Sequence, residues 1–247
     1  MLPSPTIEAL VLQHEPCETP GVIEEVLLDR GARITRIEVE QGGALPDGRD
    51  FDIVVAMGGP MGAYEDHLHP WLAPERALLA TAAASGVACL GVCLGSQMLA
   101  AALGGRAFQG PAPELGVLEV ELTAAGRADP VTAGLADRFT VLQWHGDTFD
   151  PPPDAVVLAS SAAYPHQAFR WRNAFGVQFH AEVTPAMADE WSTIPDYVAY
   201  LEGALGPGGA ERLFSDLRAA LPAINHSCRV LTERLLDEVA AGFVPRR

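Results

Sequence analysis

Short apolar runs alternate with amphipathic segments over the first hundred residues. Four runs have the length of strands, at Ile7–Leu12, Ile34–Val39, Phe51–Met57 and Val87–Gly91. Helices are predicted between and after them, at Pro20–Gly31, at about Pro70–Ser85 and from Ser96 to Leu103. The run after Asp52 is continuously apolar, which is typical of a strand buried on both faces. This β-α-β alternation predicts a parallel, doubly wound sheet.

From Gly116 the pattern changes to short strands joined by turns. These strands are predicted at Val117–Leu122, Phe139–Gln143, Val156–Ser160, Gln167–Trp171 and Phe175–Phe179. They indicate an antiparallel extension of the same sheet. A helical stretch starts at Pro185, and a Gly-Pro-Gly-Gly segment at 206–209 separates it from two further helices ending near Phe243. We expect a three-layer α/β sandwich with a mostly parallel central sheet, forming one domain over residues 1–247.

Charge and composition exclude several classes of protein. The chain has 247 residues with 16 basic and 32 acidic side chains, giving a net charge of −16. Such a surface repels phosphate backbones, so nucleic acid is not an expected partner. Every basic residue is arginine, and the absence of lysine excludes a GxxxxGK[ST] phosphate loop and a lysine Schiff base. No cofactor is expected.

The four cysteines help to predict the compartment of the protein, and the uncharged segment Ala77–Gly105 raises the question of a membrane span. The cysteines are scattered and form no CxxC pair, which argues against a disulfide scaffold and a zinc ribbon. The first residues lack the basic start of a secretory signal, so the cytoplasm is the expected location. Glycine and serine interrupt Ala77–Gly105, and a buried helix–strand–turn–helix explains the segment better than a membrane span.

Gly91-Val92-Cys93-Leu94-Gly95 lies between a buried strand and a helix. A G-x-nucleophile-x-G turn of this kind is a nucleophile elbow, in which the glycines avoid clashes with the neighbouring strand and helix. The elbow also places Cys93 at a helix N-terminus, where the helix dipole favours a thiolate. The alternative is a small buried residue in an alanine-rich segment, as Cys89 is expected to be.

His180 and Glu182 follow the last buried strand and supply a base and a group to orient it. Residues i and i+2 of an extended segment share a face, so Glu182 can hold the His180 ring in one tautomer. A zinc deaminase would need a P-C-x-x-C downstream, which is missing. The Leu94 N–H and the glycines at 58–59 can supply an oxyanion hole. The alternative is that His180 is a surface histidine with its hydrogen bonds satisfied.

Together these motifs resemble the class I (triad) glutamine amidotransferases, and in particular stand-alone GMP-synthase-like members. The family elbow Gly-x-Cys-x-Gly-x-Gln corresponds to residues 91–97, its His-x-Glu to 180–182, and its oxyanion strand to Gly-Gly-Pro at 58–60. Trp144-His145-Gly146-Asp147 is similar to the segment that contacts the α-amino and α-carboxyl groups of glutamine. The motifs cover about residues 7–200 and leave the tail from Gly203 unassigned. Ser96 departs from the histidine of many relatives.

The resemblance implies a flavodoxin-like fold and a cysteine amidase that converts glutamine to glutamate and ammonia through a γ-glutamyl thioester. Cys93, His180 and Glu182 would form the triad, with the Gly59 and Leu94 amides as oxyanion hole. The expected substrate-binding residues are Gly59, Gln97, Trp144, His145, Gly146 and Asp147. His145 could instead be a second base, while His67, His69 and His166 are expected to be structural rather than metal ligands.

The acceptor of the ammonia is missing from the sequence, which lacks the Ser-Gly-Gly-x-Asp-Ser signature of an ATP pyrophosphatase domain. A separate synthetase subunit could receive the ammonia. Alternatively, the protein could hydrolyse another γ-glutamyl compound alone, as the relatives called γ-glutamyl peptidases do. A third hypothesis is a catalytically silent binding or regulatory module, which would be expected to have lost a triad residue.

Overall fold

A nine-stranded mixed sheet forms the centre of the computed structural model, which describes residues 7–42 and 44–242. The strand order is β2-β1-β3-β4-β9-β8-β7-β5-β6. β1 pairs in parallel with β2 and β3, and β4 pairs in parallel with β3 and β9. The strands from β5 to β8 add to this half through antiparallel pairs, as predicted. β9, predicted as part of the antiparallel extension, instead joins the two halves, parallel to β4 and antiparallel to β8. The strands are β1 (Glu8–Gln13), β2 (Arg33–Glu38), β3 (Ile53–Ala56), β4 (Ala88–Val92), β5 (Arg106–Leu122), β6 (Arg138–Asp150), β7 (Val156–Ser160), β8 (Ala168–Trp171) and β9 (Ala174–Val177).

Helices cover both faces of the sheet, so the three-layer α/β sandwich is confirmed. Alternate residues of β1 and β3 point to opposite faces, as strand geometry requires. Ala9 and Val55 pack in one hydrophobic cluster with α1, α5, α6 and α7, while Leu10 and Val54 pack in a second cluster with α2 and α3. The helices are α1 (Val22–Asp29), α2 (Leu72–Ala84), α3 (Leu94–Ala102), α4 (Ala124–Ala128), α5 (Pro185–Trp191), α6 (Pro195–Leu205) and α7 (Gly209–Ala240).

The β5–β6 hairpin is much longer than predicted. The apolar pattern marks only its closed end, Val117–Leu122 against Phe139–Gln143, whereas the pairing runs on to Arg106 opposite Asp150. The register shifts between Gln109 and Glu114, where two prolines lack the N–H groups that a regular ladder needs. The Trp-His-Gly-Asp segment at 144–147 therefore lies within β6 and not in a loop.

The prediction of two helices after the Gly-Pro-Gly-Gly segment is wrong, because a single helix, α7, spans 32 residues. Pro222 lies inside it and removes one backbone hydrogen bond, a cost of about 3 kcal/mol. Leu221 and Ile224 on either side are buried against the sheet, and this packing offsets the loss. Phe243, the predicted end, lies outside the described residues.

The uncharged segment 77–105 folds as the predicted buried helix–strand–turn–helix, made by the end of α2, β4 and α3. In the described part of the chain, no helix has the length and apolarity needed to cross a membrane. The turn between β4 and α3 carries the predicted elbow, and its surroundings form the candidate site.

Candidate active site

The carboxyl ends of the parallel strands bring the predicted residues together. Gly58 and Gly59 follow β3, Cys93 follows β4 and His180 follows β9. Because β3, β4 and β9 are neighbours in the sheet, these three chain segments meet at one edge. Open α/β sheets place their ligand sites at this position.

Cys93 has the backbone strain expected of a nucleophile elbow. Its φ is 50° and its ψ is −111°, a conformation that residues with a side chain rarely adopt. Its N–H donates to the Val177 carbonyl at 2.8 Å, which ties the turn to β9. A Cβ at Gly91 or Gly95 would overlap backbone atoms, so the turn requires glycine on both sides. The strain is thus maintained by the surrounding sheet and by α3.

His180 and Glu182 form the buried pair that the i, i+2 spacing predicts. The His180 Nδ1 lies 2.7 Å from Glu182 Oε1, and the Ala181 N–H donates to Glu182 Oε2 at 2.9 Å. Burial lowers the pKa of His180, but the charge of Glu182 and the adjacent Cys93 sulfur outweigh it and raise this pKa well above its usual value. The ring therefore favours its protonated form beside Cys93.

The loop that carries this pair is fixed from two directions. The His180 backbone exchanges hydrogen bonds with Leu142 of β6, at 2.9 and 3.0 Å. From α7, the Asn225 amide donates to the Ala181 and Val183 carbonyls at 3.3 and 2.8 Å. The C-terminal helix, which no motif covers, thus holds the main chain on both sides of Glu182.

The two residues predicted to supply the oxyanion hole lie at the cleft beside Cys93. Gly59 and Leu94 both line the cleft, and neither N–H has an acceptor within residues 7–42 and 44–242. A Cβ at Gly58 would lie 3.0 Å from His180 Cε1 and 3.7 Å from Cys93 Cβ. Glycine is therefore needed for the main chain to approach this closely.

Of the predicted substrate-binding residues, Asp147 and Gln97 differ in surroundings. Asp147 is half-buried in the cleft wall, and burial raises the pKa of its carboxyl although the Tyr64 hydroxyl opposes the shift. Gln97 is buried and donates to Gln178 Oε1 at 3.2 Å, while the Gln178 amide lies 3.7 Å from Cys93 Sγ. Trp144 and Gly146 also line the cleft.

His145 has both ring nitrogens occupied. Nδ1 lies 2.8 Å from the Asp147 carbonyl oxygen, and Nε2 lies 3.0 Å from Glu114 Oε2. Burial disfavours the Glu114 carboxylate, but hydrogen bonds from His145, Ser161 and Gln167 outweigh it and lower the pKa of Glu114. A ring held at both nitrogens has no position left to exchange protons with a substrate, which speaks against the second-base hypothesis.

Glu18 is a site residue that the sequence patterns missed. It lines the cleft, and its carboxylate accepts a hydrogen bond from the Tyr197 hydroxyl at 2.9 Å. Burial raises the pKa of Glu18 and the nearby Glu182 charge adds to this, whereas attraction to His180 and the Tyr197 bond oppose it. Its position in a loop after β1, far in sequence from His180, left no local spacing to detect.

The cleft around Cys93 has a volume of about 810 Å³ and an acidic lining. None of the described residues that line it is an arginine. Six carboxylates contribute to its wall: Glu15, Glu18, Glu65, Asp147, Glu190 and Asp196. Glu182 is not part of the wall, because it lies behind the His180 ring. The site can hold an uncharged amide at the thiol and positively charged groups nearby.

A strained cysteine at an elbow, a buried histidine–carboxylate pair and two backbone N–H groups without an acceptor thus lie together on a doubly wound sheet. The family model described as "Glutamine amidotransferase class-I" matches residues 22–191. The chain therefore belongs to the class I glutamine amidotransferase family, as its motifs indicate.

Individual relatives agree with this assignment. A glutamine amidotransferase-like protein, YfeJ, of Salmonella typhimurium is 35% identical over 176 residues, which are 69% of this chain and 74% of that protein. One subunit of the glutamine-hydrolysing GMP synthase of Ignicoccus hospitalis is 33% identical over 56% of this chain and 70% of its own length. The match to the GMP synthase of Thermomicrobium roseum is 40% identical and covers only 23% of that longer protein.

Solved structures match over nearly the whole chain. A glutamine amidotransferase from Thermotoga maritima superposes with a TM-score of 0.84 at 30% identity, covering 94% of this chain and 99% of its own. Another from Methylobacillus flagellatus gives 0.85 at 25% identity, with 98% of both chains covered. These overlaps extend beyond the residues matched by the family model and into the C-terminal helices.

Proposed function

We propose that the protein hydrolyses the γ-amide of glutamine, or of a closely related γ-glutamyl compound, with Cys93 as nucleophile. The observation that carries this proposal is the grouping of Glu182, His180 and Cys93 at a strained elbow, where Glu182 and the Cys93 sulfur raise the pKa of His180. An imidazolium beside the thiol stabilises the thiolate, which is the reactive form of cysteine.

The reaction follows from these positions in two stages. The Cys93 thiolate adds to the amide carbon, and the oxyanion is held by the Gly59 and Leu94 N–H groups. His180 gives its proton to the leaving nitrogen, the C–N bond breaks, and ammonia leaves a γ-glutamyl thioester on Cys93. His180 then takes a proton from water as the water adds to the thioester, and collapse releases glutamate and restores the thiolate–imidazolium pair.

Substitution of Cys93 tests the assignment. We expect Cys93→Ala to abolish glutamate release and covalent labelling by a glutamine-mimicking chloroketone. Cys89→Ala is the matched control, because burial raises the pKa of Cys89 to about 12 and leaves that thiol inert. Labelling that persists in Cys93→Ala would refute the assignment of Cys93 as nucleophile. An intact protein that neither reacts at Cys93 nor releases glutamate would favour the silent-module hypothesis.

The size of the cleft favours a second candidate, a γ-glutamyl peptidase acting alone. Its volume of about 810 Å³ lies near the upper end of the ~300–1,000 Å³ that is usual for ligand pockets, and glutamine is a small ligand. Glutamate release should therefore be measured from glutamine and from γ-glutamyl peptides side by side. Release from peptides and none from glutamine identifies the peptidase.

A separate synthetase subunit is the partner we propose for an amidotransferase role. The relative from I. hospitalis is named as a subunit of GMP synthase, which supports a two-chain arrangement. Activity on glutamine that rises when a synthetase subunit is added would support it. An activity unchanged by every synthetase subunit of the same cell would contradict it.

We also propose that the whole chain forms one amidotransferase domain that includes α7. The Asn225 bonds to the loop at 181–183 support this, because they join the C-terminal helix to the proposed triad. A chain ending at Gly206 should then lose activity and unfold at a lower temperature. Full activity of that shortened chain would show a separable tail.

A further inference from the structure

A second buried histidine–carboxylate pair lies directly behind the predicted oxyanion loop. His14 follows β1 and is fully buried, as is Glu75 in the first turn of α2. The His14 Nε2 lies 3.0 Å from both Glu75 oxygens. Its ring stacks on Trp71 with the centroids 5.3 Å apart. Neither residue lines the cleft, so the pair does not touch a substrate there.

The other ring nitrogen of His14 points at the loop itself. Nδ1 lies 3.0 Å from the Gly58 carbonyl oxygen. With Glu75 ionised, its carboxylate and the Gly58 carbonyl can only accept hydrogen bonds, so both ring nitrogens donate and the ring is protonated. Burial lowers the pKa of His14, but attraction to Glu75 and the bonds to Glu75 and Gly58 outweigh it and raise this pKa.

The Gly58 carbonyl belongs to the same peptide group as the Gly59 N–H. In a trans peptide the C=O and N–H point in opposite directions, so fixing one fixes the other. This peptide lies between two glycines, which offer the least resistance to rotation of the peptide plane. An external hydrogen bond is therefore the simplest way to keep the N–H directed away from His14.

We propose that His14 and Glu75 are positioning residues for the oxyanion hole, acting through the Gly58–Gly59 peptide. The imidazolium holds the Gly58 carbonyl, and the bond polarises the peptide so that the Gly59 N–H becomes a stronger donor. Glu75 keeps the ring charged and oriented. Stability alone is a weak reason for such a pair, because buried ion pairs are often replaceable by apolar side chains without loss.

This inference rests on the proposed amidase function. The following variants test the positioning role and the amidase function separately. His14→Phe removes both donors and keeps an aromatic ring against Trp71. His14→Asn keeps a donor at the position of Nδ1, and Glu75→Gln removes only the charge. The matched control is His166→Phe, since His166 also bonds a carbonyl, that of Phe149 at 3.1 Å, stacks on an aromatic ring and lies outside the cleft wall.

We expect His14→Phe to lower kcat about 10- to 100-fold with KM unchanged, somewhat less than the full loss of an oxyanion donor. The kcat of His14→Asn should be higher than that of His14→Phe. The kcat of Glu75→Gln should lie between those of His14→Phe and the unsubstituted protein, and His166→Phe should match the unsubstituted protein. Alkylation of Cys93 by iodoacetamide develops no oxyanion, so its rate should stay within about twofold in all four. An unchanged kcat in His14→Phe, or a parallel loss of alkylation, overturns the proposal.

A second measurement does not depend on turnover. In protein labelled with ¹⁵N-glycine, the Gly59 amide resonance should shift or broaden in His14→Phe and stay near its original position in His14→Asn. A Gly59 resonance identical in all variants overturns the positioning role. If the resonance moves while the intact protein hydrolyses no γ-glutamyl amide, the positioning holds and the proposed function fails.

Discussion

The His180–Glu182 pair after β9 and the His145–Glu114 pair of the β5–β6 hairpin have similar ring-to-carboxylate distances, through Nδ1 and Nε2 respectively, and different surroundings. Each is buried, with a ring nitrogen 2.7 or 3.0 Å from a carboxylate oxygen. The other nitrogen of His145 is bonded to the Asp147 carbonyl, whereas His180 is next to the Cys93 thiol. On the proposed mechanism, a histidine–carboxylate pair therefore acts as a base only where its second ring nitrogen meets a reacting group.

Replacing each histidine in turn separates the roles of the two pairs most directly. We expect His180→Asn to lower kcat about 10³-fold, because general acid–base catalysis is lost. His145→Asn should lower kcat less than about tenfold and destabilise the fold by about 1–3 kcal/mol, because Glu114 loses a buried partner. Steady-state kinetics and urea unfolding measure the two effects. Equal losses of kcat would show that both rings take part in proton transfer.

Replacing each carboxylate distinguishes the two pairs by the pH dependence of activity. Glu182 raises the pKa of His180, so the imidazolium persists well above the ordinary value of 6.5. Glu182→Gln should lower kcat about 10²-fold or more and move the alkaline limb of kcat/KM to lower pH. Glu114→Gln should leave that limb in place. An alkaline limb that stays in place in Glu182→Gln would show that a group other than His180 produces it.

The pH dependence of stability also distinguishes the two pairs, with a smaller expected effect. The pKa of Glu114 lies below its ordinary value of 4.5, so its stabilisation is complete above 4.5 and is lost as the pH falls through the lowered value. Glu114→Gln should therefore cost about 1–3 kcal/mol at pH 7 and less at low pH. Unfolding in urea at pH 7 and pH 4 measures this. A cost that is equal at both values would contradict the role of the charge.

Glu18, the second carboxylate near His180, gives the smallest expected effect. Its pKa is raised by burial, so ionisation of this group weakens the fold as the pH rises from the ordinary 4.5 through the raised value. Glu18→Gln should raise Tm at pH 8 by on the order of 2 °C. Below pH 4.5 the two proteins should melt alike. A lower Tm in the variant at pH 8 would show that the carboxylate stabilises the site.

Local sequence patterns predicted the parts of the site that are close in the chain. The elbow around Cys93 and the His180–Glu182 spacing each fall within a few residues, and the structure has both. The His14–Glu75 pair was missed because its members are 61 residues apart. One signal was present: His14 directly follows a buried strand, the position that made the glycines after β3 and the cysteine after β4 conspicuous.

The fold, like the site, was predicted best where the sequence pattern is local. Strands that are apolar on both faces, such as β3, and the turn-bounded β7 were predicted to within a few residues. The open half of the β5–β6 hairpin was not, because its residues from Arg106 to Glu114 are mostly exposed and lack alternation. Pro222 favours a break in the C-terminal helix locally, and only packing against the sheet makes α7 continuous.

The bonds from Asn225 to the loop at 181–183 set an order of events during synthesis. The ribosome makes the chain from its N-terminus, so the elbow with Cys93 emerges long before α7. At roughly 5–20 residues per second, on the order of ten seconds separate the two. During that interval the loop that holds His180 lacks the hydrogen bonds from Asn225. Until α7 has been made and has packed, the newly made Cys93 thiol has no fixed His180 beside it, so on the proposed mechanism no hydrolysis can begin earlier.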